Sequence, residues 1–127
     1  TKKNIDLCMF GFNFSNLQKN LNNAHTQLIF KNNMVSDLRV KSKYDNNLLG
    51  HAGFFWINSN KVFSYLDNFL KSKYYKSLNR EIIIDDYFKF IIKNKLIKAS
   101  ILKLKNYVHI GSLVEYQEYT YWQKYFK

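Results

Sequence analysis

The sequence predicts an α/β fold, a mixed sheet flanked by helices, in a single domain covering residues 1–127. Three observations lead there. Nearly continuous apolar, β-forming runs occur at 5–14 and 51–58. A strongly amphipathic segment occupies 81–95. Strand-like and helix-like stretches alternate along the chain, with at least one hairpin between them. A chain of 127 residues is long enough for one hydrophobic core and short of a two-domain enzyme. With 46% apolar and 18% aromatic residues it has ample material to exclude water.

Taken in order, "IDLCMFGFNF" (5–14) reads as a buried strand. In "SNLQKNLNNA" (15–24), Ser15 or Asn16 is a plausible N-cap, and Leu17 and Leu21 stand at i, i+4, so a short helix is expected. "QLIFKNNMVSDLRVK" holds two apolar stretches separated by Lys31, Asn32 and Asn33. Asparagine tolerates positive φ, so a β-hairpin turning at Asn32-Asn33 is predicted. "KSKYDNN" (41–47) shows no periodicity and reads as a loop. "HAGFFWIN" (51–58) is a second apolar strand, and Gly53 in its interior marks a bulge or the close approach of another group.

Ser59 or Asn60 then caps a helix with Val62, Leu66 and Phe69 at i, i+4, i+7. "KSKYYKSLNR" is expected to be a basic loop. The helix over 81–95 places Ile83, Ile84, Tyr87, Phe88 and Ile91 on one broad face, with Asp86, Lys89 and Lys93 opposite and Asp85 at the border near the N-terminus. "KASILKLKNYVHI" predicts a strand, a turn at Asn106 and a short strand into Gly111. From about Leu113 a last helix carries Tyr116, Tyr119, Trp122 and Phe126 as a stripe, of which Tyr119, Trp122 and Phe126 are expected to close the core.

The net charge of +11 raises the question of nucleic acid or anionic lipid. Eighteen of the 20 basic residues are Lys, however, in a chain equally rich in Asn, Ile, Tyr and Phe and without Pro. That joint bias points to AT-rich coding, since selection for phosphate binding favours the bidentate guanidinium of Arg. The single Cys8 excludes an intramolecular disulfide and reads as a small buried hydrophobe in a reducing compartment. No stretch approaches the about 20 apolar residues of a membrane span, and "TKKNIDLCMFGFNF" is interrupted by polar residues too often for a signal peptide. A cytoplasmic location is expected. His25, His51 and His109 lack metal-ligand spacing, so no zinc site is expected, and the glycines at 11, 50, 53 and 111 are too scattered for a phosphate loop.

Three stretches in order, spanning about 34–126, resemble the C-terminal half of bacterial sugar-1-phosphate nucleotidyltransferases of capsule and surface-polysaccharide gene sets: "VSDLRVKSKYDNNLLGHAGFFWINSNKVF", "REIIIDDYFKFIIKNKLIKASIL" and "YVHIGSLVEYQEYTYWQKYF". The resemblance implies the corresponding half of a Rossmann-like fold. It also implies attack of a sugar-1-phosphate oxygen on the α-phosphate of a nucleoside triphosphate, with Mg²⁺ neutralising charge. Carried across, Lys41 or Lys43 would contact the sugar phosphate, Gly53 would let the sugar ring approach its strand, Glu81 would bond sugar hydroxyls, Gly111 would line the sugar cleft in a turn with Ser112, and Asp85 would help hold the metal.

The departures are specific. The loop "VKSK" lacks the proline usual after that lysine, His109 stands where many relatives have an acid, Ile110 precedes the glycine, and Ser112 replaces the commoner threonine. The family's N-terminal half, with its glycine-rich loop and first metal-binding aspartate, has no counterpart in these 127 residues, so catalysis by this chain alone is expected to be weak or absent. Ordinary roles stand beside each of these: Asp85 suits a helix N-terminus through the dipole alone, Glu81 could be a first-turn acid, Gly53 a bulge, and Lys41 and Lys43 solvated charges. Two other classes compete. Aromatics interleaved with Lys in "KSKYYK" (71–76) suit a single-stranded nucleic-acid platform, and the aromatic tail suits a non-catalytic docking module.

Overall fold

A computed structural model of the chain describes residues 4–14, 25–105 and 113–126. It is a mixed α/β arrangement with five strands: β1 (Leu7–Phe12), β2 (His25–Lys31), β3 (Met34–Ser42), β4 (Leu49–Ile57) and β5 (Ala99–Lys103). The sheet closes on itself in the order β1-β4-β2-β3-β5, with β5 returning to β1 in the parallel sense and the other pairs antiparallel. Closure leaves none of the five strands as a bare edge. Among the described residues four α-helices accompany it: α1 (Leu66–Lys71), α2 (Lys73–Ser77), α3 (Ile84–Lys93) and α4 (Leu113–Tyr125).

The hairpin forms where the two asparagines stand. Asn32 and Asn33 have φ of 52° and 64°, the paired left-handed conformation of a two-residue turn whose twist matches its strands. Of the three register shifts in the sheet, two lie close to α3 residues discussed below. Between the pairs His25↔Ser42 and Gln27↔Arg39, Thr26 of β2 faces both Val40 and Lys41 of β3. Between Met9↔Phe55 and Gly11↔His51, Phe10 of β1 faces Ala52, Gly53 and Phe54 of β4. Gly53 has φ +89° and open space where a Cβ would stand, so it serves the bulge and no neighbour presses on it. Gly50 is the opposite case: a Cβ there would lie 2.7 Å from the Phe12 ring.

The main core gathers Leu7, Met9, Leu28 and Leu38 from the sheet against Phe88, Ile91 and Ile92 of α3, with Val62 and Phe69 from the preceding segment. A smaller cluster holds Phe12, Phe14 and Ala52. Lys89 fastens α3 to β3 by donating to Asp37 Oδ1 at 2.9 Å and to the Leu38 carbonyl at 2.6 Å. Buried Gln27 anchors the loop after β3, donating to Ser42 Oγ at 2.9 Å and the Lys43 carbonyl at 2.6 Å while accepting from the Asp45 amide at 2.8 Å.

Several expectations are corrected. Ser59 caps only a 3-10 turn over Asn60–Phe63, after which α1 starts afresh and leaves Leu66 exposed. The stretch expected to be a basic loop contains α2, because Ser72 ends α1 and accepts from the Tyr75 amide as an N-cap. Its tyrosines form no open platform: the Tyr75 ring lies 5.3 Å from Phe69, and the Tyr74 hydroxyl is bonded to Asp86. On α3, Asp86 is fully buried and Ile84 is 50% exposed, the reverse of their assigned faces. Cys8 is half-buried. The α4 stripe does not close the core, since Tyr116, Trp122 and Phe126 are exposed. Aromatics stand all round that helix and stack on one another, Trp122 on Phe126 at 5.7 Å, so no single face directs it inward. The helix expected over 15–24 and the strand into Gly111 lie outside the described residues. Among the described residues, no helix is long and apolar enough to cross a membrane.

Candidate functional site

The N-terminus of α3 brings two adjacent carboxylates under the main core, and their surroundings differ. Asp86 is the third residue of the helix. Its carboxylate accepts from the Ile83 amide at 3.0 Å, from Tyr74 Oη at 2.8 Å, and from both ends of the Arg80 guanidinium at 2.7 and 2.8 Å. The Ile83 contact satisfies one of the free amides at the helix start, and the bidentate Arg80 pair neutralises the charge. Burial pushes the Asp86 carboxyl up, but Arg80, Ile83 and Tyr74 together hold it below the ordinary 3.8. Burial and the neighbouring carboxylate in turn push the Tyr74 phenol well up. Every acceptor here is used.

Asp85 turns toward the sheet instead. Its Oδ1 lies 3.2 Å from His51 Nδ1 of β4, and the Thr26 hydroxyl of β2 bonds the same carboxylate. Burial raises the Asp85 carboxyl, yet His51 and Thr26 outweigh it, and the group stays below 3.8 despite the push from Asp86. The His51 side chain is only 2% exposed. Its Nδ1 is close to the Asp85 carboxylate, and Nε2 has no partner among the described residues. A buried ring nitrogen without a partner is costly and calls for an explanation.

The residues singled out by sequence divide around this cluster. Asp85 is in it. Lys41 sits in the β3 bulge opposite Thr26, half-buried, with φ +49°. Gly53 follows His51 by two residues in the β4 bulge. Lys43 is exposed, contributing its carbonyl to Gln27, and Glu81 is exposed, contributing its carbonyl to Arg80. Gly111 lies outside the described residues. Thr26 was not singled out by sequence, and His51 was weighed there for a zinc site that was not expected. The available signal was proximity: His51 stands two positions before the glycine already singled out.

Among the described residues, no three His, Cys, Asp or Glu side chains stand together as a metal cage. Asp85 can supply one carboxylate to Mg²⁺, an ion that commonly takes one or two carboxylates and completes its shell with phosphate oxygens and water. A recess of about 220 Å³ lined by Tyr74, Lys89, Phe90, Lys93 and Asn94 lies along the C-terminal half of α3, away from this cluster. Compared with known proteins, the chain matches no family model and no curated protein.

Proposed function

We propose that the chain is the sugar-phosphate-binding half of a sugar-1-phosphate nucleotidyltransferase, acting in the cytoplasm in nucleotide-sugar synthesis for surface polysaccharide. Its barrel and helices would then correspond to the C-terminal part of that family's Rossmann-like fold. One observation carries the reading: Asp85, the carboxylate that the resemblance assigns to the metal, is the α3 acid that faces the sheet, between two bulges that hold Lys41 and Gly53. A carboxylate on the core side with His51 and Thr26 as neighbours supports this reading more than a dipole-balancing surface acid would.

In this reading the Lys41 ammonium attracts the sugar phosphate and Gly53 leaves room for the ring beside β4. Asp85 would hold Mg²⁺, which supplies charge neutralisation at the transferring phosphate. Thr26 and His51 fix the carboxylate's orientation, so its geometry is set before substrate arrives. The chain offers no glycine-rich loop for the triphosphate, so binding of sugar phosphate should exceed turnover.

The test pairs two measurements on the chain: pyrophosphate release with several sugar 1-phosphates and nucleoside triphosphates, and calorimetric binding of the same sugar phosphates with Mg²⁺. Saturable sugar-phosphate binding that is weakened at least tenfold by Asp85→Asn is expected, with little turnover. No binding of any sugar phosphate removes the reading.

A second reading, a binding module, is favoured by α4, where Tyr121, Trp122, Tyr125 and Phe126 are exposed in a chain of net charge +11. Single-stranded DNA bound through that helix should be lost on Trp122→Ala and weaken steeply with salt.

A further inference from the structure

The segment between β4 and α3 is basic and apolar at once. Over residues 61–76 it carries Lys61, Lys71, Lys73 and Lys76 against one acid, Asp67, and all five are exposed. Among them stand Phe63, Leu66 and Leu70, each half-exposed. Leu66 and Leu70 lie four apart on α1 and so share a face, and Phe63 precedes Leu66 by three. The inward side of the same segment is already filled, because Val62 and Phe69 belong to the main core. The Tyr75 ring packs on Phe69 and lays α2 beside α1, while Lys73 and Lys76, three apart, stay outward.

The chemistry of this surface separates its possible partners. Single-stranded nucleic acid needs open rings beside the lysines for its bases to stack on. The two tyrosines of "KSKYYK" are engaged within the fold, Tyr75 against Phe69 and Tyr74 on Asp86. Leu66 and Leu70, which do face outward, neither stack on a base nor bond a phosphate. An anionic bilayer takes both halves of the surface, the acyl boundary receiving the apolar side chains and the headgroups attracting the ammoniums. Four lysines less one aspartate give the segment a charge of +3. Helix α4 exposes aromatics too, but with Glu115 and Glu118 against Lys124 its charge has the wrong sign for such a surface.

We propose that Phe63, Leu66 and Leu70, together with Lys61, Lys71, Lys73 and Lys76, form a docking surface for an anionic lipid bilayer. Attachment is peripheral, to the depth of these side chains. The surface does not include Asp85, and it stands or falls independently of the transferase reading. Each lysine near the charged headgroups strengthens binding roughly fivefold, and salt weakens it.

The test is co-sedimentation of the 127-residue chain with two kinds of vesicle, phosphatidylcholine alone and an equimolar mixture of phosphatidylcholine and phosphatidylglycerol. Two double variants, Leu66→Ser with Leu70→Ser and Lys73→Gln with Lys76→Gln, are compared with Trp122→Ala on α4. The chain should bind the mixed vesicles and not phosphatidylcholine alone. Each double variant should lose at least tenfold in affinity, and Trp122→Ala should leave binding unchanged. No binding to the mixed vesicles overturns the proposal. A loss confined to the lysine variant reduces the attraction to unspecific charge and overturns it as well. A loss confined to Trp122→Ala moves the contact to α4 and does the same. Oligothymidylate that displaces the chain from the vesicles and whose own binding needs Lys73 and Lys76 but not the leucines assigns the surface to nucleic acid instead. Should the leucine variant fail to fold, hydrogen exchange of the wild-type chain decides. Protection of the residue 66–71 amides by mixed vesicles supports the proposal, and protection confined to α4 overturns it.

Discussion

Asp85 and Asp86 occupy consecutive positions in the first turn of one helix and share its dipole, yet their surroundings differ. Asp86 is enclosed by Arg80, Tyr74 and the Ile83 amide, all from its own side of the chain, and no bonding capacity is left over. Asp85 faces strands β2 and β4 and is met by Thr26 and by a histidine with a nitrogen to spare. A saturated carboxylate holds a fold together. Asp85, bonded by Thr26 and close to His51, is the acid of the pair to which the proposed metal role belongs.

The largest effect should come from Asp86→Ala, which leaves a buried guanidinium contact, a phenol and a helix amide without their acceptor. Arg80 is 29% exposed and recovers some hydration, so a loss of about 3 kcal/mol, at the low end for a broken buried pair, is expected in denaturant unfolding. Tyr74→Phe removes one bond to the same charged acceptor and should cost about 1.5 kcal/mol. Asp85→Asn keeps a polar group of the same shape at the helix start and should change stability by less than about 1 kcal/mol, while sugar-phosphate binding falls at least tenfold. Equal destabilisation by the two aspartate variants would erase the distinction between them.

The finest comparison is the acid limb of stability. Both carboxyls are held below 3.8 in the folded state, so each contributes stability that is complete above that value and is lost as pH falls toward and through the depressed native value. Unfolding free energy should therefore decline with acid in the wild type. Asp86→Asn and Asp85→Asn should each flatten that decline below about pH 4, and an unchanged slope in either would remove the depressed value assigned to it.

Local chemistry was readable from sequence where its causes are local. The Asn32-Asn33 turn, the Gly53 bulge and helix α3 follow from φ tolerance, a missing Cβ and apolar spacing. Asp86 was placed on the polar face because helix periodicity cannot show that Arg80 and Tyr74 return to cover it. The stretch supplying them was expected to be a loop, and Ser72, which organises it into α2, acts through a single side-chain cap. The same limit hid His51, whose role depends on β4 lying across from the start of α3. Helix α4 failed for another reason: six aromatics distributed round 13 residues and the one following give periodicity no face to find.

Barrel closure has a consequence for the order of assembly. Strands β2 and β3 meet across a two-residue turn, a contact that a chain can make within microseconds. Strand β1 has no such neighbour. It pairs with β4 and then with β5, so that Leu7 is held by Ala99 from the far end of the sequence. Its second edge is thus covered only once β5 has formed, and Leu7 and Met9 complete their core with it. Closure between β1 and β5 joins the strands most distant in sequence, so it is the step expected to be slowest in folding. Substitutions at that seam should slow refolding, and those in the β2–β3 hairpin should chiefly speed unfolding.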